Sequence, residues 1–121
     1  MKPSPKEVLS PAEILELVRA KASQVVLYPV VTEKIDALKR SKAIKSEEMP
    51  DKEYRTIFHA DLIRAIMTAV RIESFPSQEA QCEWTATIHG IDTGGEPLTV
   101  MVEVSKGSDP LKIADFSIDQ P

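Results

Sequence analysis

The sequence predicts an α+β fold, with helices packed on one face of a small antiparallel sheet that ends as a three-stranded meander. Three observations predict it. Apolar residues recur at helical spacing up to Val70, strict alternation takes over from Cys82, and the alternating runs are separated by glycine and proline turns. Runs of helices followed by runs of strands make this class of architecture.

Residues 1–10 are rich in Pro, Ser and Lys and read as a flexible arm, leaving 11–121 as one α+β domain. Helix 1 starts at Ser10-Pro11, where Ser caps, Pro takes the first turn and Glu13 completes a capping box. Ile14, Leu15, Leu17 and Val18 give it an apolar face, and it is expected to end near Ser23. Val25-Val26-Leu27-Tyr28 is a short strand stopped by Pro29. Thr32 then caps helix 2, which runs to about Ile44 with Ile35, Ala37 and Leu38 on its apolar side. Residues 46–53 are polar, contain Pro50 and read as a loop. Helix 3 spans about 58–70, with Leu62, Ile66, Ala69 and Val70 on one stripe and Asp61, Arg64, Thr68 and Arg71 on another face.

The strands 82–90 and 98–105 place Trp84, Ala86, Ile88 and Gly90, and Leu98, Val100, Val102 and Val104, on single sides. Opposed residues in an antiparallel pair share a face, so the even-numbered sides must pair with each other. That register excludes a two-residue loop and fits a three-residue one, Thr93-Gly94-Gly95, with a glycine at positive φ. After the turn Lys106–Pro110, residues 111–118 form a third strand of ambiguous phase. Ala114, Phe116 and Ile118 are its expected core side, with a bulge. The expected core is Leu62, Ile66, Val70, Trp84, Ile88, Val100, Val102 and Phe116.

The 121 residues are 42% hydrophobic and 28% charged, which suits a chain able to bury a core without staples. Cys82 is the only cysteine, so no intramolecular disulfide forms, and a cytoplasmic setting is expected. The start of the chain has no apolar signal-like run, and no stretch reaches membrane-spanning length, so no membrane association is expected. The net charge of −4 is uneven: residues 34–71 carry nine basic and six acidic groups, and residues 72–121 carry two basic and nine acidic. An acidic total opposes general nucleic-acid affinity, although the basic helix 34–45 leaves RNA as a secondary expectation through Lys34, Lys39, Arg40 and Lys42.

The stretch from Val26 to Ile35, then Asp61-Leu62-Ile63-Arg64-Ala65-Ile66, then Ile91-Asp92-Thr93-Gly94-Gly95, resembles a family of small bacterial domains related to the RelE and BrnT toxin ribonucleases. Those domains open with a strand and a His-Ala-x-x-Arg-Met-like segment, followed by Asp-Val-x-x-Ala-Leu and a hairpin with Asp-x-x-Gly. The resemblance implies a toxin-like scaffold over residues 25–118, with Val30 at the histidine position and Lys34 at the arginine position. Valine transfers no proton, and lysine lacks the bidentate geometry of arginine. Metal-free RNA cleavage needs a base, an acid and cations on the phosphate. His59, Arg55, Arg64 and His89 are the candidate residues for such chemistry. His59 and His89 are thirty residues apart, and no CxxC, HExxH or phosphate loop is present, so no metal or other cofactor is expected. Cys82, between Gln81 and Glu83, reads as a small buried hydrophobe. The functional expectation is a non-catalytic interaction domain that binds another protein. The alternatives are a toxin-type ribonuclease and an antitoxin or immunity-type partner whose acidic sheet face meets a basic protein.

Overall fold

The structure is a computed structural model that describes residues 9–51, 54–77 and 82–118. Among these residues the chain forms helices α1 (Pro11–Ala20), α2 (Pro29–Glu48) and α3 (His59–Met67). The strands are β1 (Val25–Leu27), β2 (Arg71–Pro76), β3 (Trp84–Ile91), β4 (Pro97–Val104) and β5 (Leu111–Ile118). They make one five-stranded sheet in the order β1-β5-β4-β3-β2. The fold is α+β, and the expected meander β3-β4-β5 lies at its centre.

The sheet is larger than three strands because two further segments pair at its edges. β1 joins β5 in parallel, Val25 beside Leu111 and Leu27 beside Ile113. β2 joins β3 antiparallel along six residues, from Arg71 beside His89 to Pro76 beside Trp84. No sequence signal marked β2: of its two large apolar residues Ile72 packs against the core and Phe75 points away from it, so the strand lacks a repeated inward-apolar alternation.

Ser10 and Glu13 exchange the two hydrogen bonds of the capping box at 3.2 and 3.0 Å. α1 stops at Ala20, short of Ser23. The next residue, Lys21, turns its ammonium onto the carbonyls of Ser105, Gly107 and Asp109 and ties the helix end to the β4–β5 turn. α2 begins earlier and ends later than expected. Pro29 occupies its first turn rather than merely ending the strand, Tyr28 is the N-cap, and residues 46–48 remain helical. Thr32, the expected cap, instead donates to the Pro29 carbonyl at 2.9 Å.

α3 ends at Met67, and Thr68 bonds back to the Arg64 carbonyl. Val70 therefore leaves the helical stripe. Its N–H donates to His89 as the chain enters β2, and its side chain is 92% exposed, which removes it from the expected core. The other seven expected residues, Leu62, Ile66, Trp84, Ile88, Val100, Val102 and Phe116, are buried in one cluster with Ile14, Val18, Val31 and Ile57.

The β3–β4 pairing has the expected parity, Trp84 opposite Val104 and Ile91 opposite Pro97. The loop is the three residues Thr93-Gly94-Gly95, closed by Asp92 N–H to Glu96 O at 2.8 Å, with Gly95 at φ +84°. In β5 the expected phase is half right. Met101 pairs Asp115 but Val102 pairs Ile113, so a bulge at Ala114 puts both Leu111 and Ile113 and, beyond it, Phe116 on the core side.

Candidate functional site

The odd-numbered residues of β3 and β4 face away from the helices and form an open sheet face. Register aligns Arg71, His89, Thr99 and Ser117 in one row across β2, β3, β4 and β5. The His89 ring spans its neighbours: Nδ1 lies 3.2 Å from Thr99 Oγ1 and Nε2 lies 3.2 Å from an Arg71 nitrogen. Arginine only donates, so Nε2 accepts and the proton sits on Nδ1, facing Thr99. Glu73 stands at 4.0 Å from Nε2 and 3.8 Å from the Arg71 guanidinium. A base at Nε2 works only after Arg71 moves aside. Arg71 also completes this row from a strand, not from the helical face where the sequence periodicity placed it. Glu73, Thr99 and Arg71 were missed as neighbours of His89 because cross-strand pairing is not written in local spacing.

The same open face carries a shallow depression of about 170 Å³ bordered by Phe75, Thr85, Thr87, Met101 and Glu103. Phe75 is 63% exposed there. Arg71 and Lys112 share this face with Glu73 and Glu103, the last of which accepts from the Tyr28 hydroxyl. The face is mixed in charge, although the acidic composition of the last third pointed to an acidic one.

Arg55 belongs to a second place, the β3–β4 loop. Its guanidinium meets Asp92 Oδ2 at 3.1 and 3.2 Å and bonds the carbonyls of Glu96 and Pro97. Asp92 Oδ1 in turn accepts from the N–H groups of Gly94 and Glu96, both at 2.9 Å. Beside it, two of the three segments singled out in the sequence, Asp61–Ile66 and Ile91–Gly95, meet. Asp61 accepts from the Thr93 N–H at 3.0 Å, the Thr93 hydroxyl at 2.6 Å and the Phe58 N–H at 2.8 Å. Phe58, the N-cap residue of α3, has no side-chain oxygen, so Asp61 does the capping from the first turn.

Burial works against the Asp61 charge. The bonds from Thr93 and Phe58 and the field of Arg55 outweigh it and hold the carboxyl below its usual range. Asp115 is likewise lowered, burial again being outweighed by its bonds from Lys34 and the Phe116 N–H. Carboxylates with depressed folded-state values stabilise the fold above the unfolded value. That stability is lost as pH falls through the lower folded value. Urea midpoints are expected to hold steady down to about pH 4, the ordinary carboxylate range, and to fall below it. Asp61→Asn is expected to lower the neutral midpoint and flatten the acid fall; an unchanged acid slope would assign the pH dependence to other groups.

The remaining candidates lie elsewhere. His59 is the first residue of α3 and Arg64 lies in its last turn, both exposed. Lys39 sits over the Phe58 ring at 5.1 Å, while Arg40 and Lys42 are exposed on α2. Lys34 bonds Asp115 Oδ1 and the Phe116 carbonyl, both at 2.7 Å. Val30 lies in the first turn of α2, 42% exposed, four residues before Lys34. Cys82 is buried, in keeping with its reading as a small hydrophobe. Between α2 and β5 runs a groove of about 480 Å³, lined by Lys34, Ala37, Leu38, Ser41, Phe116 and Ile118.

Among the described residues no group of three or more His, Cys, Asp or Glu side chains is placed to hold a metal ion. No described helix is long and apolar enough to cross a membrane. No protein-family model, curated protein or solved structure matches this chain.

Proposed function

We propose that the chain is a non-catalytic interaction domain on a degenerate RelE- and BrnT-like bacterial toxin scaffold, that its partner is another protein, and that it works in the cytoplasm. The observation that carries this reading is the dispersal of the candidate catalytic groups. Arg55 clamps the β3–β4 loop, His89 is bridged between Arg71 and Thr99 on the open face, and His59 and Arg64 lie on α3. Acid–base chemistry on RNA needs such groups around one phosphate. Val30 at the expected histidine position supports the same reading.

Induced expression in a heterologous bacterium tests it. Growth and bulk mRNA are expected to stay intact. Growth arrest that His59→Ala or His89→Ala abolishes would overturn the reading and make those residues catalytic.

One observation favours a second reading, a toxin-type ribonuclease with a rearranged site: the contiguous row Arg71, His89 and Thr99 pairs a cation with an imidazole on an accessible face. Under that reading His89→Ala and Arg71→Ala both abolish arrest, and His59→Ala does not.

A further inference from the structure

We propose that the groove between α2 and β5 is a strand-addition site for an acidic extended peptide of a partner protein, seated with its backbone on the uncovered edge of β5. This rests on the interaction-domain reading and names the site and the chemistry of its occupant.

The edge exists because β1 is short. β1 covers β5 only from Leu111 to Ile113, and Tyr28 N–H to Ile113 O at 3.0 Å is the final bond of that ladder. Pro29 has no N–H to continue it, and the chain turns into α2. Past the bulge, no strand among the described residues pairs with this edge of β5. The N–H and C=O of Phe116 point to this edge and away from β4. The carbonyl accepts from Lys34 Nζ at 2.7 Å, and the N–H donates to Asp115 Oδ1 at 2.8 Å. Ile118, two residues on, presents its backbone groups to the same side.

Side chains, not a strand, thus guard this edge. Natural sheets blunt open edges with charges in this way. The guard is a half-exposed ion pair, Lys34–Asp115, with 42% and 39% of the two side chains accessible. A pair so exposed is weak and is readily exchanged for another carboxylate.

The walls fit a peptide. Lys34 to Ser41 runs about 10 Å along the helix, enough to flank about three residues of extended chain. Leu38 and Ile118, both partly exposed, supply apolar contacts for alternate side chains. Charge sets the occupant's sign: Lys34, a cation, is the one charged residue among those that line the groove. An occupant with acidic residues between its apolar ones places a carboxylate on Lys34, releases Asp115, and takes over the Phe116 backbone groups. Main-chain bonds then give affinity, and the alternating pockets give specificity.

The probe is a fluorescent Glu-Val-Glu-Val-Glu-Val peptide titrated with the full chain. Binding is expected, weakened by salt and absent for the Lys-Val counterpart. N-methylation of alternate amides, which removes the strand's donors, is expected to abolish it. Ala37→Glu, on the exposed groove wall, should weaken binding at least about tenfold with an unchanged melting temperature, since it sets like charges together. Asp115→Ala removes the competing carboxylate and should tighten it.

Absence of binding, equal affinity of the N-methylated peptide, or indifference to Ala37→Glu overturns the proposal. So does a concentration-dependent doubling of mass without peptide, because a second copy then fills the groove. A protein partner that co-purifies equally with wild type and Ala37→Glu would retire this groove while leaving the interaction-domain reading in place.

Discussion

Gly90→Ala is expected to cost at least about 3 kcal/mol of stability, the upper end for forcing extra volume into a packed core. Gly90 lies on the core side of β3, directly under α3. A Cβ there would sit 2.0 Å from the Ala65 carbonyl oxygen, 2.7 Å from its carbon and 2.9 Å from its Cα. All three are backbone atoms, so no side chain can swing clear. The helix would have to rise off the sheet, and it is fastened at both ends. Asp61 holds its first turn to Thr93, and the Arg19 guanidinium holds the Ile66 and Ala69 carbonyls at 3.3 and 3.1 Å. Lifting α3 strains these bonds along with the Thr68 hydroxyl's bond from the Ile91 N–H. Gly94→Ala is the control. Its Cβ would meet only Asp92 Oδ1, at 3.4 Å, and the change should cost less than about half a kcal/mol, the size of a surface effect. Urea unfolding of the two variants decides the matter; a loss below about 1 kcal/mol for Gly90→Ala would place α3 farther from the sheet than the close contact at Ala65 requires.

This glycine illustrates which parts of the fold were legible. Alternation put Gly90 on the core side with Trp84, Ala86 and Ile88, and parity of facing cores fixed the register and the three-residue loop. Ser10, Pro11 and Glu13 announced α1 through local hydrogen bonding alone. β1 was legible as a short strand before Pro29, though not its parallel place beside β5, and β2 was not legible, because what makes it a strand is the neighbour it finds. β2 turns only Ile72 to the core and points Phe75 the other way. The end of α3 was misplaced for a related reason: Ala69 and Val70 continue the helical spacing, yet Thr68 closes the helix and β3 captures the chain. The candidate residues divide in the same way. Residue types such as His89 and Arg55 were visible in the sequence. Their partners Arg71, Thr99 and Asp92 came from strand pairing and a long-range ion pair. The meeting of Asp61 with Thr93 shows that two segments noticed for their resemblance to toxin-like domains clasp each other and hold helix to hairpin.

Ile66→Ala is expected to destabilise the chain by about 2–5 kcal/mol, the range for truncating a buried isoleucine whose surroundings cannot collapse. Ile66 is fully buried in the central cluster. Collapse into the vacated space is resisted on both sides. The sheet below is fixed by its ladders, and the helix backbone is fixed by Arg19 on the Ile66 carbonyl itself. The cost therefore belongs in the upper half of that range. Val70→Ala makes the test specific, because sequence periodicity places Val70 on the same stripe as Ile66. With that side chain 92% exposed, its truncation removes almost nothing from the core and should stay within about half a kcal/mol. Denaturant midpoints for both variants at unchanged slope read the difference directly. Comparable losses for the two would mean that α3 continues past Met67 and buries Val70. The start of β2 and the row that joins Arg71 to His89 would then fall with it.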